Sequence, residues 1–319
     1  MKSALSTIVK LLVSVALIAL FLRQIDLVDV KDAAGSARPI YLLGAVLLFT
    51  LSNLLGALQW RELLKVQSIE LPVGRIVSLY FVGVFFNNFL VSNIGGDAVR
   101  VYDLNRLTGE GSRGFAATFL DRFVGLSVLI LFSLIAFSLN PELWSPSITV
   151  PMAALVSVLA GILAFGFSRR LSAFVISVAE RVAPDGMLDL LKRIRDGFLA
   201  YRHEYATILR VLVIASGVQL SRIAVYYAVG QGMGLSPGFD HFLVFIPLIA
   251  IVAAVPISFG GIGVRENLGA VLFGRVGVEP AAALAMMFLG YLAGIVASLA
   301  GGISFVFRKY SHSEDGNAD

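Results

Sequence analysis

Asn93-Ile94-Gly95-Gly96-Asp97-Ala98-Val99-Arg100 and Ser258-Phe259-Gly260-Gly261-Ile262-Gly263-Val264-Arg265 are one phrase used twice, 165 positions apart. Each follows a long apolar run. A Gly-Gly break inside such a run frees backbone groups that lipid cannot satisfy, so protein or water must do so. An arginine at mid-bilayer costs about 2.5–3.5 kcal/mol or more. Paired, glycine-interrupted segments in corresponding halves of a chain point to the binding site of a transporter.

Composition sets the class around that phrase. Of 319 residues, 58% are apolar and only 14% charged, and the mean hydropathy is +0.87. A soluble domain of this length does not need so much apolar surface, whereas a polytopic helical membrane protein does. The apolar runs are long and continuous, unlike the short alternating segments of a membrane β-barrel. The expected fold is therefore an all-α polytopic membrane protein. The net charge of +4 follows membrane topology and calls for no nucleic-acid partner. Without cysteine there is no disulfide, thiolate chemistry or cysteine metal site. His203, His241 and His312 show no metal-ligand spacing, and no phosphate-binding loop of the GxxxxGK[ST] type is present. No cofactor or metal is expected.

Apolar runs lie near 4–22, 40–58, 76–94, 117–139, 150–167, 209–230, 241–259 and 282–307, each close to the roughly 20 residues of a span. The first reads as a retained helix, because Phe21-Leu22-Arg23-Gln24 follows it instead of a small-residue cleavage site. Leu58-Gln59-Trp60-Arg61 reads as an interfacial aromatic with a cationic anchor. The polar stretch 168–208 carries seven arginines and lysines, with Leu190, Leu191, Ile194, Phe198 and Tyr201 at helical spacing. It reads as a basic amphipathic segment on the cytoplasmic membrane surface. Residues 1–310 then form a single membrane domain with halves of about 1–145 and 146–310, followed by a disordered tail, 311–319.

Loops 140–149 and 231–240 lack Lys and Arg and are expected outside, while 95–122 is basic and expected inside. Two topologies satisfy this. All eight runs span, or 76–94 and 241–259 are re-entrant hairpins. Re-entrance is favoured: Asn87, Asn88, Asn93 and Gly95-Gly96 make a poor lipid-facing helix. It also turns the repeat into an inverted one, a common transporter plan.

Three segments carry a family resemblance: Leu58-Gln59-Trp60-Arg61-Glu62-Leu63-Leu64, Asn87-Asn88-Phe89-Leu90 and Gly95-Gly96-Asp97-Ala98-Val99-Arg100. With Asp121-Arg122-Phe123-Val124-Gly125 and Pro256 through Glu266, they resemble the lysylphosphatidylglycerol synthase transmembrane region, a flippase-like family. The likeness covers almost the whole chain in family order. The family often has proline where this chain has Val91 and Phe259, so here glycine alone breaks the helices. In multiple peptide resistance factors this domain moves aminoacylated phosphatidylglycerol between leaflets, and a separate soluble domain makes that lipid. No such synthase domain is expected after the last apolar run. Stand-alone relatives are linked to polyprenyl-glycolipid or hopanoid pathways. The resemblance implies lipid translocation in a cytoplasmic membrane, expected to be bacterial, with an anionic phospholipid or polyprenyl-phosphate-linked lipid as partner.

Each candidate residue carries a functional and a plain reading. Arg100 and Arg265 follow glycine breaks near helix N-termini, where free N–H groups and a guanidinium suit a lipid phosphate; charge anchoring at the interface is the plain reading. Gly95, Gly96, Gly260, Gly261 and Gly263 admit close backbone approach, either to a head group or to another helix. Asp97 can pair with Arg100 three residues on, and Glu266 is expected to pair with Arg265. Asp121 and Arg122 sit where a long apolar run opens, marking an interface or a functional charge. Arg222 interrupts a run and is expected to line a cavity. Asn87, Asn88, Asn93 and Ser258 read a head group or satisfy broken backbone.

Lipid translocation is the leading reading. The alternatives are a scaffold in a lipid or glycan synthesis complex and an integral-membrane lipid enzyme. No nucleophile–base pair or paired carboxylates stand at recognisable spacing for the last, so no enzymatic activity is expected. A second copy of the chain or a lipid-synthesis enzyme would be a protein partner. The cysteine-free background allows a direct test of topology, with single cysteines at Glu70, Glu110 and Arg275. Re-entrance predicts labelling of the first two from the cytoplasmic side and the third from outside. Eight spans would place Glu70 outside and Arg275 inside.

Overall fold

The structure, a computed structural model, describes Gly35 and residues 37–89, 95–182, 184–254 and 263–307. Among the described residues there are eleven α-helices, one short 3-10 turn and no strand. The first group comprises α1 (Pro39–Val66), α2 (Val73–Phe89), α3 (Gly95–Thr108) and α4 (Gly111–Leu139). Next come α5 (Pro146–Phe167), α6 (Arg169–Val182) and α7 (Asp185–Ala200). The last group comprises α8 (Tyr205–Gly232), α9 (Phe239–Ala254), α10 (Val264–Gly274) and α11 (Pro280–Phe307). The chain is an all-α polytopic membrane protein: α1, α4, α5, α8 and α11 are each long and apolar enough to cross a bilayer. The run at 4–22, the tail at 311–319 and Asn93, Val91, Ser258, Phe259, Gly260 and Gly261 lie outside the described residues.

The first and last groups share an order of long, short, short, long. Their lengths are 28, 17, 14 and 29 residues in one and 28, 16, 11 and 28 in the other. At a rise of about 1.5 Å per residue, the 28-residue helices exceed a hydrocarbon core of about 30 Å and the short ones fall below it. Both regions that read as single runs at 76–94 and 241–259 are thus shorter apolar helices, α2 and α9.

The exterior of α1 explains why these helices belong in lipid. Leu43, Leu47, Leu51, Leu54 and Leu58 form an exposed stripe, while Ala45, Ser52, Asn53, Gly56, Ala57 and Trp60 are buried. Apart from Trp60, Leu63 and Leu64 near its end, large apolar side chains face out and small or polar ones face in, the reverse of a soluble helix. That inner face packs on α8, the most extensive helix pair among the described residues. The two run antiparallel along their lengths. At one end the Arg38 N–H donates to the Gly232 carbonyl at 3.0 Å; in the middle Leu55 lies over Gly217; at the other end Arg210 pairs with Glu62 at 3.2 Å.

The remaining helices clasp this central pair. The α2 helix packs on α11, α4 packs on α9, and α2–α3 and α9–α10 each fold as adjacent helices in contact. Gly83 and Gly96 let the α2 and α3 backbones touch: a Cβ on Gly96 would collide with the Gly83 carbonyl oxygen and the Asn87 backbone.

The polar segment differs from its sequence reading. It forms two helices, and α7 turns its apolar face to the bundle instead of to lipid. Phe198 is buried with its ring centroid 5.0 Å from that of Phe123, and the Tyr201 hydroxyl donates to the Leu63 carbonyl at 2.7 Å. The α6 helix does leave Leu171, Phe174 and Val178 exposed along one side. Trp60 also departs from expectation. It is fully buried, with its indole N–H donating to Thr118 Oγ1 at 3.1 Å, and so is no interfacial anchor.

Candidate functional site

The first glycine break builds its own polar cluster. Four N–H groups at a helix start lack helical partners; at α3 one of them, on Gly96, donates to Asn87 Oδ1 at 2.8 Å. This is the plain reading of Asn87, satisfaction of broken backbone. The turn sets Asp97 and Arg100 on the face of α3 that meets α4. Because α4 starts at Gly111, Asp121 and Arg122 stand about three turns inside it, not at its opening.

There the four charges cross-pair. Arg122 grips Asp97 with two bonds, Nε to Oδ2 at 2.7 Å and Nη2 to Oδ1 at 2.9 Å. Arg100 Nη2 lies 3.2 Å from Asp121 Oδ2 and 3.5 Å from Asp97 Oδ1. Arg100 and Asp121 are buried, at 2% and 6% exposed. Arg122 is the outer member, with its side chain 44% exposed. The Arg100 guanidinium also lies over two rings, 4.5 Å from the centroid of Trp60 and 4.9 Å from that of Tyr80. Gln59 completes the frame by donating to the Asp121 carbonyl at 3.1 Å. Two cations and two anions make this cluster neutral, as burial in low dielectric requires.

The second break is built differently. Gly263 precedes α10 with φ of +81°, a left-handed conformation that glycine adopts without steric cost. Glu266 Oε2 accepts the Gly263 N–H at 2.6 Å. Glu266 therefore makes the acidic half of a capping box, glycine having no side chain to make the other, where pairing with Arg265 was expected. Arg265 instead lies over the Tyr291 ring, 4.2 Å from its centroid. The Tyr291 hydroxyl donates to the Asn88 carbonyl at 3.3 Å, so Arg265 and the end of α2 meet through one tyrosine. An open cleft of about 520 Å³, lined by Val252, Gly263, Val264, Asn267, Leu268 and Val271, borders this turn.

The structure thus joins Asn87, Gly95, Gly96, Asp97, Arg100, Asp121 and Arg122 in one cluster and Asn88, Gly263, Arg265 and Glu266 in another. Arg222 lies near the middle of α8 and is half-buried. Sequence reasoning missed Trp60, Tyr80, Thr118, Tyr226 and Tyr291, the rings and hydroxyl that frame these charges. Trp60 and Tyr226 stand 166 positions apart on α1 and α8, nearly the offset of the repeated phrase, a usable signal.

Lipid-facing apolar helices around buried, cross-paired charges define a polytopic helical membrane protein. The chain belongs to the lysylphosphatidylglycerol synthase TM region family, whose model matches residues 7–302. It is 25% identical over 290 residues to a UPF0104 membrane protein of Pyrococcus horikoshii, covering 82% of this chain and 85% of the relative. A UPF0104 membrane protein of Methanothermobacter thermautotrophicus is 23% identical over 286 residues, covering 81% and 82%. These relatives are archaeal, and nothing in the comparison speaks for the bacterial source expected from sequence.

The neutral cluster predicts a charge-deletion pattern. Asp121→Asn leaves the buried cluster one positive charge in excess, with Asp97 shared between Arg100 and Arg122, and should cost roughly 3–5 kcal/mol, the range for breaking one side of a buried pair. Thermal unfolding in detergent should show a clear drop. The double replacement Arg100→Met with Asp121→Leu removes both charges and should recover most of that loss.

Proposed function

We propose that this protein moves a phosphate-bearing lipid between the leaflets of its membrane. Two inverted halves would flank a polar path, and the acyl chains would stay in lipid. The observation carrying this reading is the antiparallel α1–α8 pair. Helices 166 positions apart, in groups with the same order of lengths, run in opposite directions. That is the relation expected of an inverted repeat with its axis in the membrane plane.

Re-entrance of the short-helix pairs has support from contacts at the helix ends. Glu62 pairs with Arg210, Arg38 with Gly232, and Arg275 Nη1 donates to Ser145 Oγ at 2.9 Å. Hairpins that return to the side they entered keep each of these pairs on one face. Eight full spans would put the members of all three on opposite faces. The two hairpins then open from opposite sides, each with an arginine against an aromatic ring at its tip. Arg265, at the break bordered by the open cleft, is the better-placed ligand for an entering head-group phosphate. Arg100 is held within its neutral cluster.

A proteoliposome assay tests this. A labelled anionic phospholipid and a polyprenyl phosphate are followed for loss of outer-leaflet accessibility, with and without a pH gradient. The expected result is protein-dependent movement of at least one lipid, lowered about tenfold or more by Arg265→Ala, the loss of one charge-assisted contact. No movement under any gradient would contradict translocation.

A further inference from the structure

The middle of the α1–α8 seam carries a second pattern. Asn53, Gly56 and Trp60 on α1 and Gln219, Arg222 and Tyr226 on α8 stand pairwise 166 positions apart. Both triplets follow i, i+3, i+7 spacing, which puts each on one helix face. The register fixed by Leu55 against Gly217 and Glu62 against Arg210 brings Asn53 level with Gln219. Aromatic matches aromatic and amide matches amide. The middle position breaks the match, with glycine on α1 and arginine on α8.

The asymmetry has a steric cause and an electrostatic consequence. Gly56 leaves the room that the Tyr80 hydroxyl fills, since a Cβ there would collide with it. The first-half charges Asp97, Arg100, Asp121 and Arg122 then cancel among themselves. Arg222 has no carboxylate partner among the described residues, and its buried Nε has no hydrogen-bond partner. One turn before it on the same face of α8, Gln219 is 5% exposed with Oε1 unbonded, and Asn53, level with Gln219 on α1, is 0% exposed with neither amide atom bonded. Buried polar groups in native proteins are otherwise nearly always satisfied. A cation without a carboxylate partner, one helical turn from the level of two buried amides with unbonded atoms, suits an anion and its hydration.

We propose that Arg222, Asn53 and Gln219 form an anion-binding station at the midpoint of the α1–α8 seam, and that its ligand is a phosphate group. Arg222 supplies the charge-assisted bonds, and the Asn53 Nδ2 group supplies a neutral donor. The orphaned amide oxygens take donors from water that enters with the anion. If the translocation reading holds, the phosphate belongs to a lipid head group and the station lies midway between the two hairpins. The site itself does not depend on that reading.

The test is calorimetric titration of the full chain in neutral detergent, using inorganic phosphate in one arm and a short-chain phosphatidylglycerol in the other. Wild type should bind the lipid more tightly than inorganic phosphate; equal affinity would overturn the lipid as source. Arg222→Gln should weaken binding about tenfold or more, as for loss of a charge-assisted bond, and Arg222→Lys should restore most of it. Asn53→Leu removes two orphaned atoms, so it should raise the unfolding midpoint while weakening binding. That variant keeps the test alive should Arg222→Gln fail to fold. Unchanged binding in Arg222→Gln, or in Asn53→Leu, would overturn the station. Arg222-dependent binding with no lipid movement in vesicles would keep the site and sink the translocator. Lipid movement with Arg222-independent binding would do the reverse.

Discussion

The antiparallel packing of α1 against α8 is the contact on which the other helices depend. In lipid there is no hydrophobic gain from bringing two apolar helices together, so close packing and polar contacts must hold them. The buried face of α1 accordingly carries Ala45, Ser52, Asn53, Gly56 and Ala57, and that of α8 sets Ala215 and Gln219 among Val211, Val218 and Ile223, while Leu43, Leu47, Leu51, Leu209 and Leu220 point outward. The seam also fixes where everything else stands. Trp60 on its inner face positions Arg100, Gly290 of α11 fits against Tyr226, and the ion pair at its end ties α1 to the start of α8.

Charge balance is the second constraint. A bundle surrounded by hydrocarbon tolerates ionised side chains where opposite charges and hydrogen bonds meet them. The first half meets this by crossing its pairs: Arg122 takes Asp97 on the preceding helix, and Arg100 takes Asp121 on the following one. This locks α3 to α4. Among the described residues, no cross-paired set of ion pairs joins the matching helices of the second half. At the 166-position offset shared by Trp60 and Tyr226, Met287 and Phe288 stand in α11 where α4 has Asp121 and Arg122. The first half therefore closes its charges on one another, while in the second half Arg265 lies over the Tyr291 ring and Arg222 has no carboxylate partner among the described residues.

Much of this was legible from the residues. Composition and run length determine an all-α membrane protein, and the Gly-Gly breaks mark where α3 and α10 begin. The i, i+3 pairing of Asp97 with Arg100 was readable because helical spacing is local. The cross-pairs were not, because α4 extends six residues before its apolar run and its partners lie 21 and 25 residues away. Trp60 misled because Trp-Arg beside an apolar run resembles an interfacial belt. The helix continues through Gln59, Trp60 and Glu62 since these polar groups meet α4 and α8 instead of water. Asn53 and Gln219 went unnoticed inside apolar runs, although their shared offset with Trp60 and Tyr226 would have exposed them.

The central claim is that the seam between antiparallel halves holds an anion at Arg222. The most direct measurement is an electron cryomicroscopy map of the protein in an anionic-lipid nanodisc, with a rigid fiducial bound. The account predicts tetrahedral density within hydrogen-bond distance of the Arg222 guanidinium and beside the Asn53 amide, with water at Gln219. A seam closed by protein side chains, with a carboxylate from elsewhere in the chain against Arg222, would contradict it.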